Sequence, residues 1–192
     1  NVYVYGIMNA DALIKEANKA NLSYYAGIGR VLRAYAYMNL TDLFGDIPYS
    51  EANVPGIDFP KADKSADVYN ALLVELNQAL KDFTATTGNS TIPGTNDLFY
   101  NGNKDKWIKA TNTMKLKLLT QSRLAKDEIN NWKAELDSLI AEDNFIGNGE
   151  DLQFPHTATL SPSDERKSGY VDEYEASQKS VWINPWLYEI MN

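Results

Sequence analysis

Between Ser23 and Phe44 the apolar residues Ile28, Val31, Leu32, Tyr35, Met38 and Leu43 recur at spacings of three and four, and no Pro interrupts them before Gly45. That spacing draws a wide stripe down one side of a helix and cannot serve the period-two alternation of a half-buried strand. The pattern returns in Val68, Leu72, Leu73, Leu76, Ala79, Leu80 and Phe83. It returns again in Trp107, Ile108, Met114, Leu116, Leu118, Leu119 and Leu124, and then in Ile129, Trp132, Leu136, Leu139 and Ile140. No alternating run is long enough to build a sheet with its own core, so the expected fold class is all-α.

Local signals set the expected boundaries. Asp11 is placed to cap a first helix that runs to about Lys19, and Gly45 closes the helix that starts near Ser23. Ser65 and Asp127 are read as caps of later helices, Asp105 begins another, and the polar stretch from Thr84 to Thr95 separates them. Pro48, Pro55, Gly56 and Pro60 make 46–65 a long irregular connection. The short link between the helices beginning at Asp105 and Asp127 implies an antiparallel pair. The expectation is one domain over 1–192, a tetratricopeptide-like array of helix pairs over about 9–143 followed by an irregular, aromatic-bearing tail over 144–192. Trp107 and Trp132 both fall on apolar stripes and are expected in the core. The dense run from Trp182 to Met191 ends with no polar cap, as in a piece of a longer protein.

Composition removes function classes. A net charge of -8 and a pI near 4.7 repel nucleic acid and anionic membrane surfaces. Zero Cys excludes thiol nucleophiles, Cys-bound zinc and iron-sulfur clusters, and His156 is the one histidine of the chain, so no cofactor or metal is expected. Gly27-Ile28-Gly29 lacks the third glycine of a dinucleotide loop and reads as a turn or a close helix contact. Gly147-Asn148-Gly149-Glu150-Asp151 is a poor calcium loop. The neighbouring acids Asp172, Glu173 and Glu175 read as a solvated face rather than a glycosidase pair, so the chain is not expected to be an enzyme.

What the composition does supply is four Trp and twelve Tyr beside many Asn, a mixture that can stack on sugar rings and bond to their hydroxyls. Aromatics in irregular segments are the better site candidates, because a sugar needs an exposed, rigid ring with planar amides nearby. Tyr170, Tyr174, Trp182, Trp186 and Tyr188 meet that description, with Asn184 and Gln178 adjacent; Tyr49 and Tyr100 rank below them. A helical-repeat scaffold for a protein partner is the competing reading.

Two stretches carry a resemblance. The tyrosine-rich helix from Arg30 through Arg33, Tyr35 and Tyr37 closes into Phe44-Gly45-Asp46-Ile47-Pro48-Tyr49. Further on, Asp97, Tyr100, Gly102, Lys106, Trp107, Lys109, Ala110, Asn112, Lys115 and Leu118 recur in fixed order. Both resemble the SusD/RagB family of starch- and glycan-binding outer-membrane lipoproteins, over about Asn9 to Leu124, with Thr113 and Lys117 where that family commonly has Ser and Arg. The resemblance implies a helical protein on the external face of the cell outer membrane, binding oligosaccharides or another small nutrient and handing them to a SusC-like TonB-dependent transporter. It also implies a lipid anchor on an N-terminal Cys, which is absent from this sequence.

Overall fold

The computed structural model describes residues 2–89 and 91–157. Within them the chain is helical and has no strand, and Ile47 pairs with Asp63 in an isolated bridge. A wide helical turn, Tyr3–Ile7, leads into α1 (Met8–Lys19). Next come α2 (Ser23–Phe44), α3 (Ser65–Thr84), α4 (Lys104–Gln121) and α5 (Trp132–Glu142), with a tight 3₁₀ run over Ser122–Glu128 between the last two. Residues 1–152 form one compact unit and the described residues 153–157 belong to a second.

The stripes become the core. From α2 come Tyr24, Ile28, Val31 and Met38, from α3 Val68, Leu72, Leu76 and Phe83, and from α4 Trp107, Leu118 and Leu119, all buried. Two glycines let the helices approach. A Cβ on Gly27 would lie 2.8 Å from Phe83 Cε1, and one on Gly29 would lie 2.8 Å from Ile14 Cγ1. Gly27-Ile28-Gly29 is therefore a pair of close helix contacts, one toward α3 and one toward α1.

Gly45 terminates α2 as expected: its φ of 75° suits a residue without a Cβ, and its N–H bonds Thr41 O at 2.9 Å. The 46–65 connection is irregular but pinned. Ile47 and Asp63 exchange backbone hydrogen bonds of 3.2 and 2.9 Å, and Ile47 is buried. The Asp63 carboxylate accepts from Tyr49 N, Ser50 N and Ser50 Oγ at 3.1, 2.7 and 2.9 Å. These bonds hold Asp63 below the usual carboxylate range, the Ser50 N–H contributing most.

Helix starts differ from the sequence expectation. The first helix begins at Met8, so Asp11 lies inside its opening turn and its side chain goes to Arg33 instead of capping. Ser65 is the first helical residue of α3 and is capped by Asp46, whose Oδ1 accepts the Ser65 N–H. Asn103, not Asp105, caps α4 through Lys106 N at 3.1 Å. Asp127 sits in the 3₁₀ run, and α5 starts after Asn131, in the left-handed region at φ 54°. The third stripe also ends early: α4 stops at Gln121 and Leu124 is 91% exposed.

Trp107 is fully buried, stacked on Phe83 and edge-on to Phe99 and Tyr100. Its Nε1 donates to Asp97 Oδ2 at 2.7 Å, and Asp97 also accepts from the N–H groups of Phe99, Tyr100 and Gly102. Trp132 departs from expectation: it is half-buried against the core, with its Nε1 on Leu119 O at 2.9 Å. Trp132 is the first residue of α5, a helix of 11 residues in which only Leu139 is fully buried.

Candidate functional site

The segment Arg30 to Ala52 folds so that both its ends meet one cavity. Arg33 and Tyr37 project from α2, Tyr49, Ser50 and Ala52 come from the pinned connection, and Asp11 comes from α1; together they line about 250 Å³. The helical spacing of four puts Arg33 and Tyr37 on one face of α2, and the Asp63 carboxylate holds the backbone of Tyr49 and Ser50 opposite them.

Arg33 is committed to two acids. Its Nη1 donates to Asp11 Oδ1 at 2.5 Å, while Nε and Nη2 donate to Glu75 Oε1 at 2.7 and 2.6 Å. Burial works against its charge, but Glu75 and Asp11 overcome that and hold the guanidinium above its ordinary pKa. On Glu75 the balance runs the other way: burial outweighs Arg33 and raises the carboxyl. The network ties α1, α2 and α3 together.

Rings form the other wall. Tyr37 and Tyr49 lie edge to face with centroids 4.7 Å apart, and Tyr3 sits edge-on behind Tyr37 at 6.1 Å. Tyr3 donates its hydroxyl to Pro48 O at 2.9 Å. Burial raises the Tyr37 phenol strongly and pushes Tyr49 up to about 12, with Glu75 adding to the latter, so both hydroxyls keep their protons at physiological pH.

Two other cavities open on the described residues. One, of about 270 Å³, lies between the end of α2, the start of α3 and the 3₁₀ run. Asp42, which accepts the Tyr69 hydroxyl, and Glu128 are its acids. The second, of about 290 Å³, is lined by Lys126, Asp127, Asn131, Trp132, Lys133 and Ala134. Among the described residues no cluster of His, Asp and Glu is placed to hold a metal ion.

The aromatics favoured from sequence, Tyr170, Tyr174, Trp182, Trp186 and Tyr188, with Asn184 and Gln178, lie outside the described residues, as do Asp172, Glu173 and Glu175. Tyr100 is buried, with its hydroxyl on Glu150 O at 2.9 Å. Tyr49 lines the first cavity. Sequence reasoning ranked Tyr49 low and passed over Tyr37 and Asp11; the available signal was Arg33 and Tyr37 a helical turn apart with a second Tyr just past the helix end.

The chain is similar in fold and sequence to solved structures. A chitin-binding protein matches at 30% identity and a TM-score of 0.68, over 81% of this chain and 33% of that one. A SusD homologue from Bacteroides fragilis matches at 27% identity and a TM-score of 0.69, over 83% and 34% of the two chains. A Bacteroidetes SusD-like protein matches at 27% identity and 0.69, over 86% and 30%. The chain thus spans about a third of the length of these relatives. No curated protein matches it. Residues 1–180 match the SusD-like family, described as starch-binding and associating with the outer membrane, and the all-α array is the fold of its solved homologues: the chain belongs to the SusD-like family.

Proposed function

We propose that this chain is part of a non-catalytic glycan-binding component of an outer-membrane nutrient-uptake system. It captures oligosaccharides at the external face of the outer membrane and passes them to a SusC-like TonB-dependent transporter. The observation that carries this reading is the family match over residues 1–180. The 30% identity to a chitin-binding protein supports a saccharide as the ligand class. Trp182, Trp186, Tyr188, Tyr170 and Tyr174 supply stacking faces, and Asn184 supplies an amide for ring hydroxyls.

The test is calorimetry with neutral starch and chitin oligosaccharides on the full-length protein that contains this chain, at low and high salt. Stacking on rings is insensitive to screening, so the affinity should hold as ionic strength rises. Trp182→Ala and Trp186→Ala should each lose about 1 to 2 kcal/mol of binding. Binding of a peptide or protein with no saccharide bound would replace this reading with a helical-repeat scaffold.

A further inference from the structure

We propose that Asn148 is a site of spontaneous backbone modification: its side-chain amide is lost to ring closure by the Gly149 nitrogen, and the product releases the turn that holds Glu150 against Lys109 and Tyr100. The inference stands on the geometry of two turns and does not depend on the oligosaccharide reading above.

The sequence has two Asn-Gly pairs, Asn101-Gly102 and Asn148-Gly149. Glycine has no side chain to shield its own nitrogen, so an Asn that precedes it is the one most open to attack by the next amide. Each pair sits at the centre of a tight turn: Asn103 N bonds Tyr100 O at 3.0 Å, and Glu150 N bonds Gly147 O at 3.2 Å. The two glycine nitrogens are held differently. Gly102 N donates to Oδ2 of the buried Asp97 at 2.9 Å, and a Cβ on Gly102 would lie 2.8 Å from Gly94 N, so a charge-assisted bond and neighbouring backbone fix that peptide. Gly149 N donates to no group among the described residues, and nothing lies within 4 Å of where its Cβ would be. Asn148 and Gly149 are both exposed, so water and base reach them freely.

The step consumes only water. Hydroxide takes the Gly149 amide proton and the nitrogen attacks Asn148 Cγ; an N–Cγ bond forms, the Cγ–Nδ2 bond breaks, and ammonia leaves with a proton from solvent. Water then opens the five-membered imide. Opening at Cγ leaves aspartate, and opening at the backbone carbonyl leaves isoaspartate, with the chain routed through Cβ and Cγ. Isoaspartate lengthens the turn by one backbone carbon and sets a new carboxylate beside Glu150 and Asp151. That turn carries contacts. The Glu150 carboxylate accepts from Lys109 Nζ at 3.1 and 2.8 Å and from Gly147 N at 3.0 Å, and its carbonyl takes the Tyr100 hydroxyl at 2.9 Å. A longer turn loses the closure from Glu150 N to Gly147 O and with it the placement of Glu150, so the change at Asn148 is felt on α4 through Lys109.

The experiment ages the protein at mildly alkaline pH, native and in guanidinium chloride, and maps its peptides by mass spectrometry with isoaspartyl methyltransferase labelling. In the native protein Asn148 should gain the mass of an amide-to-acid exchange and take up label, at a rate that rises with pH. Asn101 should react at least about tenfold more slowly, the factor set by giving up one hydrogen bond to a charged group. In guanidinium chloride the two sites should react at similar rates, because nothing then holds Gly102 N. Asn148→Gln should remove the label from the native protein. The aged protein should melt below Asn148→Asp, which carries the new charge without the extra backbone atom. Equal native rates at the two sites, or an intact Asn148 in native protein whose denatured form reacts there, would overturn the proposal. A shared Tm for the aged protein and Asn148→Asp would overturn the release of Glu150.

Discussion

Asp46 Oδ1 accepts the backbone N–H of Ser65 at 2.8 Å, so the residue just past the end of α2 caps the start of α3 across nineteen positions of sequence. One side chain thus closes both the helix pair and the loop between its members. Asp46→Ala should cost about 0.5 to 2 kcal/mol, and Asp46→Asn, which retains an acceptor, should recover most of it. Urea melts of the two variants check this; equal loss in both would show that charge near the helix start, and not the hydrogen bond, is what matters.

Trp107 and Asp97 form the second hub. Trp107→Ala should destabilise by about 3 to 5 kcal/mol, as for other buried large aromatics. Asp97→Ala leaves the indole N–H and three backbone N–H groups without their acceptor and should cost at least about 1 to 3 kcal/mol. Thermal denaturation of both should also show non-additivity in the double variant, since the two residues share one contact.

A third expectation concerns acid. The folded chain holds Asp63 below its unfolded pKa, so its contribution is fully present above the unfolded value and is lost as pH falls through the folded one. Wild type should lose stability across the acidic carboxylate range, and Asp63→Asn should flatten part of that limb while lowering stability at neutral pH. Chemical melts between neutral pH and the acid limit read this out, and an unchanged acid slope would contradict it.

The close helix approaches give a fourth. Gly27→Ala pushes a methyl into the Phe83 ring and Gly29→Ala into Ile14, so each should cost about 1 to 3 kcal/mol by overpacking. Phe83→Leu placed beside Gly27→Ala should return part of the loss in a double-mutant cycle, which Gly29→Ala should not share.

Helix bodies are legible in the sequence because the stripe that marks them is the stripe that packs: Val68, Leu72, Leu76 and Phe83 are read from spacing and found in the core. Helix ends are less legible, since the groups that satisfy them come from elsewhere in the chain. Asp46 is recruited to α3 and Arg33 claims Asp11, and neither pairing leaves a local trace. Trp132 has the right register but opens α5 and is only partly covered, and what covers a helix end is a tertiary property that spacing does not carry. The first cavity is half legible: Arg33, Tyr37, Tyr49 and Ser50 lie within one recognisable stretch, while Asp11 joins them only when α1 packs on α2.

The Ile47–Asp63 bridge clamps the ends of an excursion whose first part, Pro48 to Asn53, still bonds and packs on the helices, while Val54, Ile57 and Phe59 farther along are exposed. With both ends clamped, the closure entropy of the excursion depends only weakly on its length, each doubling costing about 0.6 kcal/mol. Its tip carries Phe59, 94% exposed, and makes few demands on the core. The stretch from Val54 to Pro60 is therefore permissive: an epitope, a fluorophore-bearing peptide or a longer loop spliced there should leave the helix pair intact, which makes it the natural point from which to tether or track this protein.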